Sequence, residues 1–383
     1  MVKIGFILGP KSRLSGALEC NRDLFYALNK KGLNAQALIP KTDKFYNISG
    51  IGSVLTYFTL YPYADKLDYV IGTSFATLPF IKSNTKSIQI LRGSAIGMVN
   101  RVMDNFSQQN KKERAITNKW HKYFLKNKLS EDEIINKLKN ILLSTSEAER
   151  VSLNHAEKII VVSPIVEEEI IKYYKIKKKK IKVIYNAVAD FWFEKNKTIS
   201  DEPELFFASK AKNSSYIFLE KGLDRVFEIF EKVDLKKRMF LHFGSSDDFF
   251  RRSFSQKTKK LGINLYENLG RKELKDSYHN MGIYVQTSRT EAFGLSLVEA
   301  MASGMVPVSY PVGIATNIIK NGVNGYLVSS TKEAIEVIKL LARNRAKQVE
   351  MSSLAKQTVS KRFNFSSIVS NYNRTIKAII NKK

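Results

Sequence analysis

Glu291-Ala-Phe-Gly-Leu-Ser-Leu-Val-Glu299 joins the end of one apolar run to the start of another, and the change of period between them decides the fold. Before it, Gly282 to Ser288 reads as a buried strand, with apolar Ile283 and Val285 and the β-formers Tyr284 and Thr287. After it, Leu295, Val298, Met301 and Ala302 recur at helical spacing until Gly304 closes the helix and Val306-Pro-Val308 opens another strand. The turn places the backbone N–H groups of Phe293, Gly294 and Leu295 at a helix N-terminus, where donors lack intrahelical acceptors and a phosphate is attracted. Glu291 and Glu299 flank that position, and ionised carboxylates accept hydrogen bonds from several hydroxyls at once. Taken alone, Glu291 is a favourable charge at a helix start and Glu299 a residue on a solvated face. However, Leu297-Val298 and Ala300-Met301 surround Glu299 with apolar side chains, where a charge demands a partner. A phosphate beside a hydroxyl-rich group implies a nucleotide sugar.

The 383 residues are enough for two or three domains, each with its own core. With 44% hydrophobic and 26% charged residues the chain has the composition of a soluble globular protein. No apolar run reaches the roughly 18 residues of a membrane span, and Ile51 to Ala64 is broken by Pro62. Met1 to Leu8 lacks the longer apolar region and cleavage site of a signal peptide and reads as a first strand in a cytoplasmic protein. The single cysteine, Cys20, excludes an internal disulfide and a thiolate metal site. His121, His155, His242 and His279 lack ligand spacing, so no metal is expected.

The net charge of +27 is spread along the chain, with 31 basic against 16 acidic residues up to position 188 and 32 against 20 beyond it. A nucleic-acid module would concentrate the charge and favour arginine, whereas lysine outnumbers arginine here by 47 to 16. That balance fits a solvated coat or attraction to an anionic membrane surface, and nucleic acid is not an expected partner.

Strands and helices alternate through both halves, as in doubly wound α/β domains. In the first half, strands are expected at Lys3 to Leu8, Asn34 to Ile39, Tyr69 to Gly72, Ile88 to Leu91 and Lys158 to Ser163. Met98 to Ser152 is long, polar and helical in pattern, and reads as an insertion. A second series follows at Leu205 to Ser209, Met239 to Phe243, Asn264 to Tyr266, Ile283 to Gln286 and Val306 to Tyr310. The polar segment Asn186 to Pro203 reads as the join. These boundaries give an N-terminal Rossmann-like domain over 1–188 and a second over 203–360, followed by a terminal helix over 361–383. Paired α/β domains facing across a cleft bind ligands at the carboxyl ends of their strands.

The segment Ser288 to Val328 resembles the donor-site signature of retaining glycosyltransferases of the GT-B fold, glycosyltransferase family four. The family's two glutamates, with seven residues between them, match Glu291 and Glu299, and the likeness continues through Glu299-Ala-Met-Ala-Ser-Gly304 and Asn321-Gly-Val-Asn-Gly-Tyr-Leu-Val328. The resemblance implies transfer of a sugar from a nucleotide diphosphate sugar to a hydroxyl of a glycan or lipid-linked acceptor in the N-terminal domain, with no metal or other cofactor. It further implies that Glu291 contacts the transferred sugar and Glu299 the nucleotide ribose. The terminal helix is expected to cross back and brace the N-terminal domain.

Other motifs match in part. Gly9-Pro-Lys-Ser-Arg-Leu-Ser-Gly16 follows the first strand and opens a helix, and Gly16 corresponds to the second glycine of the family's paired-glycine turn, with Ser15 in place of the first. Lys210 stands where the family carries an arginine, and Lys221-Gly222 matches its lysine-glycine element; both lysines would face the donor diphosphate. A lysine keeps the charge but loses the planar two-pronged contact of arginine. Arg92 follows an N-domain strand where many relatives carry a histidine, and a guanidinium there stabilises leaving-group charge without acting as a base. Gly313 matches one glycine of the donor loop, while Val312, Ala315 and Thr316 replace the usual Gly, Pro and Glu.

Two basic segments lie outside these motifs. Lys111 to Lys128 mixes seven basic residues with Trp120, His121, Tyr123 and Phe124, and Lys172 to Lys182 holds seven lysines. Each suits a solvated face, an anionic membrane surface or, through aromatics beside lysines, stacking on nucleic-acid bases, the membrane reading giving peripheral association at the inner face of the cell membrane. Two rivals to the transferase reading are a nucleotide-sugar epimerase of related fold and a non-catalytic basic nucleic-acid-binding or adaptor protein on a GT-B scaffold.

Overall fold

A computed structural model describes residues 2–9, 16–41, 52–97, 100, 131–194, 204–209, 220–233, 235, 239–243, 258–267, 269, 271–278 and 282–381. These fall into two compact units, one formed by residues 2–100, 131–187 and 365–381 and the other by 188–364.

The first unit holds β1 (Ile4–Ile7), β2 (Ala35–Leu38), β3 (Tyr69–Gly72), β4 (Lys86–Leu91), β5 (Lys158–Val161) and β6 (Ile181–Val183), in the order β2-β1-β3-β4-β5-β6 with every pairing parallel. The inner strands β1 and β3 are buried along their length because both faces of a parallel sheet are covered. The core against this sheet includes Phe6, Leu28, Ile71 and Ile160 together with Ile368, Val369, Tyr372 and Ile376 from the terminal helix Phe365–Ile380. Tyr372 also donates its hydroxyl to the Ile184 carbonyl at 3.2 Å, and burial pushes that phenol up to about 12, against a smaller opposing effect of Arg92.

The second unit holds β7 (Leu205–Ser209), β8 (Met239–Phe243), β9 (Asn264–Glu267), β10 (Ile283–Gln286), β11 (Val306–Ser309) and β12 (Tyr326–Leu327), in the order β12-β11-β10-β7-β8-β9, again all parallel. The chain passes outward from β7 through β8 to β9 and then returns to the other side of β7 as β10. That reversal opens a crevice at the carboxyl ends of β7 and β10, where ligands bind in open α/β sheets. In the first unit the same reversal lies between β1 and β3.

Two edge strands were not legible beforehand. β6 has three residues and β12 two, too few for an alternating or continuous apolar pattern to register. The lysine run is accordingly divided: Lys172 is in the last turn of the helix Pro164–Tyr174, Lys178–Lys180 form a single 3-10 turn, and Lys182 sits within β6. The end of the stretch read as an insertion is integral to the first unit. In the helix Glu131–His155, Leu153 and Ser152 are fully buried; the hydroxyls of Thr77 and Ser152 lie 2.7 Å apart, and Gln89 donates to both. Its fully buried Glu149 accepts from Ser74, from the Ala95 N–H and from Tyr174, while burial raises its carboxyl above the usual carboxylate range. No described helix is long and apolar enough to cross a membrane.

Candidate functional site

In the second unit, the turn after β10 is buried through Thr287, Ser288, Arg289 and Thr290. Buried loop backbone must find partners, and here the segment 220–225 supplies them. The Arg289 N–H donates to the Glu220 carbonyl at 2.8 Å, Thr287 Oγ1 donates to the Lys221 carbonyl at 3.1 Å, and Arg225 Nη1 reaches the Thr287 carbonyl at 3.3 Å. Arg289 and Asp224 add a two-pronged ion pair with both contacts at 2.7 Å. Gly222 adopts φ +63, and a Cβ there would run into the Thr287 carbonyl. Glycine at 222 therefore lets the two segments close up and carries Lys221 to the mouth of the crevice.

Lys221 Nζ donates to Glu291 Oε1 at 2.8 Å and lies 3.7 Å from Glu220 Oε1. Burial opposes the charge on this lysine, but the two carboxylates outweigh it and hold the ammonium above its ordinary range. Ser288 Oγ donates to the same Glu291 oxygen at 3.0 Å, which fixes the carboxylate from a second side.

The helix Leu295–Ala302 begins at Gly294, whose φ of +94 turns the chain from the loop into the helix. No acceptor among the described residues is placed on the Gly294 or Leu295 N–H groups. Phe293 is buried edge-on against Phe363 at 5.7 Å, and its carbonyl accepts the Ile314 N–H at 2.8 Å. Gly313 has φ +58, and a Cβ there would lie 2.5 Å from that carbonyl; glycine lets the second loop lie against the first. Glu299 is half-buried one turn beyond Leu295 on the same helix face. Its charge reaches the buried phenols of Tyr278 and Tyr284, both raised first by burial and further by this carboxylate, so they remain neutral. The Tyr284 hydroxyl donates to Ser296 Oγ at 2.9 Å.

The structure thus gathers Glu291, Lys221, Phe293, Gly294, Leu295, Glu299 and Gly313 around one end of β10. Lys210 lies outside the described residues, as does the segment Lys111 to Lys128. Arg92 and Gly16 belong to the first unit. Gly16 is the first residue of the helix Gly16–Lys30. Arg92 follows β4 and is held by buried Asn21, whose Oδ1 accepts from Nε at 2.7 Å, and by buried Asn186, whose Oδ1 accepts from Nη1. Among the described residues no group of histidine, cysteine or acidic side chains forms a metal site.

Sequence reasoning passed over Asp224, Arg225, Arg289 and Gln286. Asp224 and Arg289 look like surface charges in a line of sequence, since nothing local announces a partner 65 positions away. Gln286 is buried beneath Gly294, and neither of its amide atoms has a partner among the described residues; a polar residue at the end of an apolar strand was the available signal.

Residues 188–358 match the family model for glycosyl transferases group 1, and residues 133–190 match that for glycosyltransferase family 4. An uncharacterized 41.2 kDa protein in the cps region of Klebsiella pneumoniae is 27% identical over 202 residues, which is 51% of this chain and 55% of that protein. The chain therefore spans about half the length of that curated relative. Among solved structures, sucrose-phosphate synthase from Thermosynechococcus elongatus superimposes with a TM-score of 0.73 at 14% identity, covering 100% of both chains. Anabaena HepE, solved with UDP-glucose, superimposes at 0.68 and 14% identity, covering 99% of this chain and 100% of its own. At these identities the structural likeness speaks for the fold. Two glycosyltransferase family models thus match within residues 133 to 358, and the fold is that of solved GT-B glycosyltransferases.

Proposed function

We propose that the chain is a retaining, hexosyltransferase-type enzyme of family four that moves a sugar from a nucleotide diphosphate sugar to a hydroxyl of a cell-surface glycan or lipid-linked precursor in polysaccharide biosynthesis. The observation that carries the reading is the Lys221–Glu291 pair, 2.8 Å apart at the start of the helix that bears Glu299. HepE, a neighbour in fold, is solved with UDP-glucose, which supports a nucleotide diphosphate sugar as donor. Neither the epimerase nor the basic-adaptor alternative is favoured by the family matches.

In this reading the N–H groups at Phe293 to Leu295 and the Lys221 ammonium receive the diphosphate, with Lys210 adding positive charge. Glu291 binds hydroxyls of the transferred sugar, Glu299 those of the ribose, and Gly313 lets its loop approach the donor. The bond from the anomeric carbon to the diphosphate breaks as the acceptor oxygen bonds to that carbon on the same face. The acceptor's proton passes to the departing phosphate oxygen. Preorganised donors stabilise the charge that develops on this leaving group, without a metal. Anomer assignment of the product by NMR, with EDTA present, tests the scheme: retention is expected, and inversion or full dependence on a divalent ion excludes it. The enzyme would act in the cytoplasm, peripherally at the inner face of the membrane.

Glu299→Gln is expected to weaken binding of the nucleoside diphosphate by roughly 1–3 kcal/mol, because it removes a charged acceptor for ribose hydroxyls. Titration calorimetry on the folded variant checks this; unchanged affinity takes Glu299 out of the site.

A further inference from the structure

Arg92 directly follows β4, Asn186 stands three residues beyond the end of β6, and Asn21 lies in the second turn of the helix Gly16–Lys30, which comes after β1. All three belong to the first unit and meet at the carboxyl end of its sheet, the end at which open α/β sheets bind ligands. Asn21 and Asn186 are only 4% and 5% exposed, while Arg92 is half-buried. Arg92 Nε donates to Asn21 Oδ1 at 2.7 Å, and Nη1 donates to Asn186 Oδ1. The loop beyond Arg92 is fixed from two helices. The Ala95 N–H donates to Glu149 at 2.9 Å, Ser94 Oγ to Glu169 at 2.6 Å and the Ile96 N–H to the Tyr174 hydroxyl at 3.3 Å. The guanidinium is therefore set in place before any ligand arrives.

A guanidinium carries N–H donors and no acceptor, so each asparagine must turn its oxygen to Arg92 and keep its amide nitrogen for something else. Among the described residues no acceptor meets Arg92 Nη2, Asn21 Nδ2 or Asn186 Nδ2. The cation also lacks a counter-charge: among the described residues no carboxylate pairs with Arg92, and the charged groups that act on the neighbouring Tyr372 phenol are Arg92 and Cys20. What the cluster offers is donors alone, around one positive charge. Its complement is a group that only accepts and is negatively charged, and a carboxylate or phosphate takes the planar fork of an arginine in that way. A neutral sugar hydroxyl, which also donates, finds no acceptor in the cluster.

We propose that Arg92, Asn21 and Asn186 form a subsite for a carboxylate or phosphate carried by the acceptor, which makes the enzyme selective for an anionic glycan or a phosphate-linked precursor. That the anion belongs to the acceptor rests on the glycosyltransferase reading, in which the first unit takes the acceptor; the preference for an anion rests on the three side chains alone.

The test is NMR titration of the full-length protein with glucuronate as the carboxylate probe, glucose 6-phosphate as the phosphate probe and glucose as the neutral control. At least one anionic probe is expected to bind tenfold or more tightly than glucose, and the stronger of the two identifies the anion. Asn21→Asp sets a carboxylate against Arg92 Nε without changing the size of the side chain; it should keep or raise the melting temperature and weaken the anionic probe at least tenfold. Arg92→Gln, which removes the charge, should weaken that probe equally. UDP separates the two sources of an anion, since a guanidinium serving the donor diphosphate loses UDP in both variants, whereas UDP affinity is expected to stay within twofold of the wild type. The proposal is overturned if neither anionic probe binds, if glucose binds as tightly, or if UDP affinity falls tenfold in the variants. It is also overturned if folded Asn21→Asp still binds the anionic probe as the wild type does, the result expected of a cluster with a structural role only. Failure of the saccharide arms with UDP still bound refutes the subsite and spares the transferase reading.

Discussion

Lys221→Ala is expected to lower turnover by about 10²–10³-fold, the loss typical when one preorganised donor to a developing anion is removed. Lys221 is held by Glu291 at 2.8 Å and has Glu220 at 3.7 Å, so the substitution also leaves two carboxylates repelling the incoming diphosphate. Lys221→Arg keeps the charge and should retain more activity. Initial rates of nucleotide release, with the donor that most raises the melting temperature of the wild type, measure both variants. A loss below about fivefold in Lys221→Ala removes the residue from the leaving-group site. The pH dependence follows from the raised pKa. Because the folded value lies above the ordinary 10.5, the stabilisation from this ammonium is complete below the unfolded pKa and is lost only as pH rises through the folded one. The lysine thus contributes no alkaline limb to the rate below about pH 10.

Asp224→Ala is expected to destabilise the second unit by about 3–5 kcal/mol, since it removes the two-pronged carboxylate partner of a buried guanidinium, Arg289. Both side chains are only 5% exposed, and the two contacts at 2.7 Å leave the charge no route to water. Replacing both residues, as Asp224→Leu with Arg289→Met, should recover much of that loss, because a buried ion pair exchanged for apolar side chains is often near neutral. Urea unfolding followed by tryptophan fluorescence reports on this unit through buried Trp192. A single-variant cost below about 1 kcal/mol contradicts the account. The pair also anchors the turn that presents Ser288 and Glu291, so Asp224→Ala should weaken nucleotide binding even under conditions where the chain remains folded.

Most of the strands were legible because those of a parallel sheet are covered on both faces and must be apolar along their length. Tyr69 to Gly72 and Ile283 to Gln286 match their observed bounds. β6 and β12 were not legible, because two or three residues carry no period and edge pairing alone makes them strands. The residues around Glu291 could be named from their local pattern, since a helix N-terminus after an apolar strand is written in adjacent residues. Their assembly could not be. Lys221 lies 70 positions from Glu291 in the chain, and it arrives there because Gly222 lets the backbone close on Thr287 and because Arg289 reaches Asp224. The cluster around Arg92 was equally hidden, since Asn21, Arg92 and Asn186 sit in distant parts of the sequence and only the assembly of the first sheet with its helix brings them together. By itself the sequence determined the periodic elements and the chemistry each could offer, because those depend on neighbours one to four residues apart. Which charges face one another was decided only by tertiary structure, because burying a charge forces it to find a partner wherever the packed chain provides one.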